Sequence, residues 1–326
     1  MQTPKQVVNA AITFNKPERL PLIFDEFGMS DRRYLGWNQI GTGDHSKKLT
    51  FDEWNCGWQR TAQQNMGQIT VHPIDEWSKL DGYAWPDADD AKFFEGMERH
   101  ADGTEGYYVQ TGIFMLLFER MHGLRGFENT LMDLYLEREN IEALADRIVE
   151  FDIRMIENIA RRFPNAIDGF TFSDDWGTET ALFIQPSLWR EFFKPRYKKI
   201  FDAAHKAGWH VWMHSCGKVN DILGDIIDIG CNVVNLQQPR ALGIEAVGKE
   251  FAGKICFESL CDIQHTLPFK GKADIEAEAK LLLDCWGTES GGFILSDYGD
   301  GTAIGAAPDK KRIMYDAFMK HDRWKK

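Results

Sequence analysis

The chain has 326 residues, enough for one large domain or two ordinary ones, and is 43% hydrophobic, 13% aromatic and 27% charged. Its 38 basic and 50 acidic residues leave a net charge of −12, which argues against nucleic acid or an anionic membrane as the main partner but allows an anionic substrate bound locally. No apolar run reaches the ~18 residues needed to span a bilayer, the start lacks a signal-type apolar segment, and six cysteines without paired spacing fit a reducing compartment, so a cytoplasmic protein is expected.

In chain order, the pattern predicts a short helix over 5–14 and a first strand over 20–24. An irregular stretch over 85–104 follows, and an eighth strand is sought in the poorly patterned 55–75 region. From Gly106 onward, strand, loop and helix repeat. Strands are predicted at 107–111, 169–173, 210–213, 233–236, 255–257 and 293–295, and helices at 130–162, 187–207, 219–229, 244–251, 275–286 and 310–320. Short apolar strands without polar alternation indicate a parallel sheet covered on both faces. Gly208, Gly230 and Gly253 each follow a helical run, where a helix-ending glycine belongs. The expected architecture is α/β: one (β/α)8 TIM-type barrel domain over 1–326. Residues 1–105 form an N-terminal extension that includes the first strand, and 106–326 carry the main repeats. The competitor, an open doubly wound sheet, usually shows an early Gly-rich phosphate loop, and none is seen.

In such a barrel the residues after each strand line one mouth. Here they are Asp25 and Glu26, then Asp174, Asp175 and Trp176, then His214 and Cys216, Gln237 and Gln238, Glu258 and Cys261, and Asp297 and Tyr298. Packing would favour apolar or small residues at these places, so the set reads as a polar, acidic cavity. Neighbours in extended chain face opposite sides, so one of Asp174 and Asp175 should enter the cavity for acid/base or positioning work together with Asp25 or Glu26. A helix cap is the ordinary alternative role for either acid. Trp176, directly after the acids, is the tryptophan expected to face a ligand, with Gln237, Gln238 and Tyr298 as further substrate contacts, while most of Trp54, Trp58, Trp189, Trp209 and Trp212 should be core.

His214-Ser215-Cys216-Gly217 joins a buried strand to an amphipathic helix, and His214 and Cys216 leave the same side of the extended backbone. An imidazole and a thiol converging there can hold zinc. The plainer alternative is a core thiol beside a hydrogen-bonded histidine.

Ser173-Asp174-Asp175-Trp176-Gly177, Pro186-Ser-Leu-Trp-Arg-Glu-Phe-Phe-Lys-Pro-Arg196, Val211-Trp-Met-His-Ser-Cys-Gly217 and Asp262-Ile-Gln-His-Thr-Leu-Pro268 together resemble the uroporphyrinogen decarboxylase-like superfamily. The resemblance covers nearly the whole chain and implies a single TIM-type barrel. It has at least two branches. True decarboxylases carry an arginine-rich N-terminal segment for the tetrapyrrole carboxylates, and here Asp25 and Glu26 stand in that place. The cobalamin-linked methyltransferases resemble this chain more closely. Their zinc enzymes use H-x-C, matched by His214 and Cys216, plus a distal cysteine that the 293–301 segment lacks. Glu258, Cys261 and Asp297 are then the candidates for the third ligand. The resemblance implies a methyltransferase acting between a small methylated substrate and a thiol or a corrinoid protein. With no Asp-x-His-x-x-Gly run in the chain, the corrinoid would arrive on a separate partner. A cofactor-free decarboxylase and a non-catalytic ligand-binding barrel are the alternative functions, and a homodimer is compatible with all three.

Overall fold

The computed structural model describes residues 1–38, 48–60, 67–97 and 103–325, with the side chain of Glu26 excepted. Eight parallel strands form a nearly closed barrel: β1 (Leu22–Phe24), β3 (Arg32–Tyr34), β7 (Tyr108–Ile113), β8 (Gly169–Ser173), β9 (His210–His214), β10 (Val233–Leu236), β11 (Cys256–Ser259) and β12 (Phe293–Ser296). β1 lies beside β12, with Leu22 opposite Leu295. The two-residue β2 (Met29–Ser30) runs antiparallel to β1, and the chain bends at Asp31 into β3, which pairs with β7. The eighth barrel strand is therefore Arg32–Tyr34. The 55–75 region instead supplies β5 (Gly57–Gln59) and β6 (Gln68–Val71), which with β4 (Leu49–Phe51) make a separate antiparallel sheet. This overturns the expected eighth strand: the edge segment is too short and too charged to show a periodic pattern, and its pairing with Tyr108–Gln110 makes it a strand.

Period two explains the packing. Ile23, Tyr108, Trp212, Val233, Cys256 and Ile294 point into the barrel and form a small inner core with Val8, Ala11 and Ile12. Those three belong to α1 (Pro4–Ile12), which plugs the barrel floor. Its start is fixed by Pro4 and a reciprocal Thr3–Gln6 capping box. The alternate strand residues, among them Val109, Phe170, Phe172, Val211, Met213, Val234, Phe257, Phe293 and Leu295, face outward into the larger core beneath the helices. The longer helices there are α2 (Phe118–Arg125), α3 (Phe127–Leu136), α4 (Arg138–Arg162), α5 (Lys194–Lys206), α6 (Asn220–Asp228), α7 (Ile244–Phe251), α8 (Lys272–Trp286) and α9 (Lys310–Lys320). A π-helical turn, Trp189–Phe193, precedes α5 and buries Trp189, Phe192 and Phe193. Among the described residues no helix is long and apolar enough to cross a membrane.

Candidate metal centre at the barrel mouth

β8 and β9 run side by side with Ser173 opposite His214, so the segments leaving them cross the mouth together. The alternation of β9 continues past its end: His214 and Cys216 face the mouth half-buried, while Ser215 is 3% exposed and its hydroxyl accepts from the Trp176 N–H at 3.0 Å. Three successive backbone N–H groups pin the turn. Cys216 donates to Asp175 Oδ1 (2.7 Å), Gly217 to Gln238 Oε1 (2.5 Å) and Lys218 to the Thr178 carbonyl (2.8 Å). Gly217 has φ +80°, and a Cβ there would lie 2.1 Å from the Gly177 carbonyl oxygen, so only glycine lets the two loops touch.

The turn brings three potential ligands together. His214 Nε2 lies 3.5 Å from Cys216 Sγ and 3.6 Å from Asp175 Oδ1, and the ligand atoms of all three residues lie within 4.8 Å of one another. Asn235 Oδ1 sits 2.6 Å from His214 Nδ1, which ties up that nitrogen and leaves Nε2 toward the thiol. Burial pushes the Cys216 thiol well up, and the charges of Asp175 and Glu119 push it further. Without a cation this is a poor place for a thiolate. With one, the nitrogen, sulfur and oxygen donors suit zinc, so the residues present fit that ion.

Asp175 is therefore the third potential donor. The three sequence candidates stand elsewhere. Cys261 is fully buried beneath α8, 3.5 Å from the Ile275 carbonyl, and its thiol is pushed far up by burial. Asp297 points toward Lys311, whose Nζ is 4.0 Å away. Glu258 lies inside the barrel below the mouth, 7% exposed, with Asn235, Ser296 and Arg32 around its carboxyl; burial raises its pKa.

Asp174 takes the capping role. It is fully buried, and its carboxylate accepts from the N–H groups of Leu117 (2.8 Å), Phe118 (3.1 Å) and Glu119 (2.7 Å) at the start of α2 and from the Tyr197 hydroxyl (2.5 Å). Burial outweighs these bonds and lifts its pKa to about 6. Trp176 is likewise core and not a ligand contact: it is stacked on Phe118 at 4.2 Å and donates from Nε1 to Tyr197. Asp25 is exposed and lies 3.4 Å from Arg32, and the side chain of Glu26 lies outside the described residues. Gln237 is half-buried, with its carbonyl accepting from Ile263 N, whereas Gln238 supports the Cys216 turn. Tyr298 is half-buried, and burial raises its pKa.

Glu119 was not among the sequence candidates. At the start of α2 it accepts from the Ser173 hydroxyl at 2.7 Å, and burial, then Asp175 and Asp174, push its carboxyl well above the usual range. A buried carboxyl shifted in this direction beside the donor set is a candidate functional group. No sequence signal marked it, since the segment after Gly112 shows no period. Next to His214, a cavity of about 190 Å³ is lined by Tyr34, Ile113, Phe114, Thr171, Phe172 and Ser173.

The fold and site define a (β/α)8 barrel with a candidate metal centre at the carboxyl end of its strands. Residues 109–321 match the uroporphyrinogen decarboxylase (URO-D) family, to which the chain belongs. No curated protein matches it. Among solved structures, a methyltransferase from Methanosarcina mazei superposes with a TM-score of 0.72 at 14% identity, covering 98% of this chain and 99% of that one. A xylanase 10B from Thermotoga petrophila covers 76% of this chain and 83% of that one at 11% identity, with a TM-score of 0.41.

Proposed function

We propose that the chain is a methyltransferase that moves a methyl group between a small methylated substrate and a thiol or a corrinoid carried by a separate protein. The observation that carries this reading is the convergence of His214 Nε2, Cys216 Sγ and Asp175 Oδ1 within 4.8 Å of one another at the mouth of the barrel. The whole-length likeness to a methyltransferase supports it. His214, Cys216 and Asp175 would hold zinc, which as a Lewis acid would make a bound thiol more nucleophilic or polarise a methoxy oxygen. Tyr34 and Phe114 give the adjoining cavity apolar walls suited to a methyl-bearing group. Glu119, held by the Ser173 hydroxyl beside Asp175 with its pKa raised by burial, is the candidate to give a proton to the atom from which a methyl group leaves.

The decarboxylase reading rests on the family match and on Arg32, which donates to Gln110 Oε1 at 3.0 Å and could receive a substrate carboxylate. Asp25 already faces that guanidinium, and a substrate with many carboxylates would need more cations than this. One experiment separates the readings. Zinc-loaded protein is mixed with cob(I)alamin and a panel of small O-, N- and S-methyl compounds, and methylcobalamin is followed by absorbance. Carbon dioxide release from porphyrinogen is measured in parallel. Methyl transfer with one or more donors is expected. Carbon dioxide release without methyl transfer would replace this reading with the decarboxylase.

A further inference from the structure

Three polar side chains line up behind the candidate metal centre. His214, Asn235 and Glu258 occupy successive positions across β9, β10 and β11, with Asn235 opposite His214 on one side and Glu258 on the other. All three face the barrel interior, where apolar residues fill the layer below. The packing alone would not place an amide and a buried carboxyl here, since a buried polar group is costly unless it is bonded.

The bonds have a direction. With its oxygen turned to His214, at 2.6 Å from Nδ1, the NH2 end of Asn235 is directed toward Glu258, its partner in register on β11. An amide oxygen only accepts, so the imidazole hydrogen must sit on Nδ1. The lone pair of Nε2 is left directed at Cys216 Sγ and Asp175 Oδ1, at 3.5 and 3.6 Å.

We propose that Asn235 and Glu258 are positioning residues that set the tautomer and ring orientation of His214, with Glu258 acting through the amide of Asn235. The arrangement is the carboxylate–histidine–metal relay with an amide interposed. Its consequence for zinc rests on the proposed function, but the tautomer is a property of the metal-free protein and is tested without it.

Protein labelled with 15N at histidine is prepared metal-free at a pH where the imidazole is neutral, and long-range 1H–15N spectra read which ring nitrogen of His214 carries the hydrogen. The resonance is assigned by its loss in His214→Gln. Wild type should show hydrogen on Nδ1. Asn235→Leu, which keeps the bulk but cannot accept, should move it largely to Nε2, and Asn235→Asp should restore it. Zinc affinity, measured by competition with a chelator, should fall ~10–100-fold in Asn235→Leu and less in Glu258→Gln, whose amide oxygen can still accept. Hydrogen on Nε2 in wild type overturns the inference even if every variant fails to fold. An unchanged tautomer in folded Asn235→Leu overturns it as well. Should wild type show the Nδ1 hydrogen, and Asn235→Leu lose it, while neither binds zinc, the positioning role stands and the metal reading falls.

Discussion

Asp174 and Asp175 are adjacent in sequence, yet their replacement should have separable effects. In Asp174→Ala, three backbone N–H groups and the Tyr197 hydroxyl lose their acceptor at the buried start of α2. Each buried donor left without a partner costs ~1–3 kcal/mol. Part of this is returned, because the variant no longer buries a carboxylate. The rise in pKa from 3.8 to about 6 puts the net penalty for the charge at ~3 kcal/mol at neutral pH. Four such donors, less that ~3 kcal/mol, leave a loss of roughly 1–9 kcal/mol for Asp174→Ala. Zinc affinity should be nearly unchanged, since no Asp174 oxygen belongs to the donor set. Asp175 is half-exposed, with one bond to the Cys216 N–H. Its replacement by Ala should cost under ~1 kcal/mol but weaken zinc at least tenfold. Urea unfolding of the metal-free proteins and a chelator competition read the two axes. The assignment fails if Asp174→Ala unfolds at the wild-type urea midpoint, or if Asp175→Ala keeps wild-type zinc affinity.

Three further outcomes follow from the same geometry. The folded pKa of Asp174 lies above its unfolded value, so its contribution is fully present below pH ~3.8 and is lost as pH rises through about 6. Urea midpoints measured across that window should therefore fall less steeply with pH in Asp174→Asn than in wild type, and equal slopes would rule the titration out. Gly217→Ala drives a Cβ to 2.1 Å from the Gly177 carbonyl at a left-handed φ, so it should cost several kcal/mol and displace Cys216; thermal unfolding and zinc content check it, and a silent variant would show that the loops do not meet there. Zinc must displace the proton of a thiol that burial, Asp175 and Glu119 hold protonated. Uptake should then release acid into an unbuffered solution and weaken about tenfold per pH unit in wild type but not in Cys216→Ser, which should bind weakly at every pH; proton-independent binding by wild type would exclude the thiolate.

The barrel was legible because buried parallel strands and helix-ending glycines announce themselves; Gly208, Gly230 and Gly253 all adopt positive φ in the structure. Much of the site could have been read from a single rule, the parity of each strand carried past its end. In β8, Phe170 and Phe172 face outward, and Asp174 and Trp176 continue that set into the core. Thr171 and Ser173 line the cavity, which places Asp175 at the mouth. In β12, Ile294 faces inward, so Asp297 falls on the outer side, toward Lys311 of α9. In β11, Cys256 and Glu258 face inward while Phe257 and, farther on, Cys261 face out. Parity also selects Asn235, on the same face as Val233, as the neighbour of His214. The rule has nothing to say about Glu119, which reaches the site from a short helix with no apolar stripe and is held there by Ser173. Nor does it reveal Arg32–Tyr34, whose strand geometry comes from its pairing with β7. Residues on strands inherit their direction from the pleat, so a sequence reader can recover them. Residues delivered by loops and edges depend on tertiary contacts that no local pattern encodes.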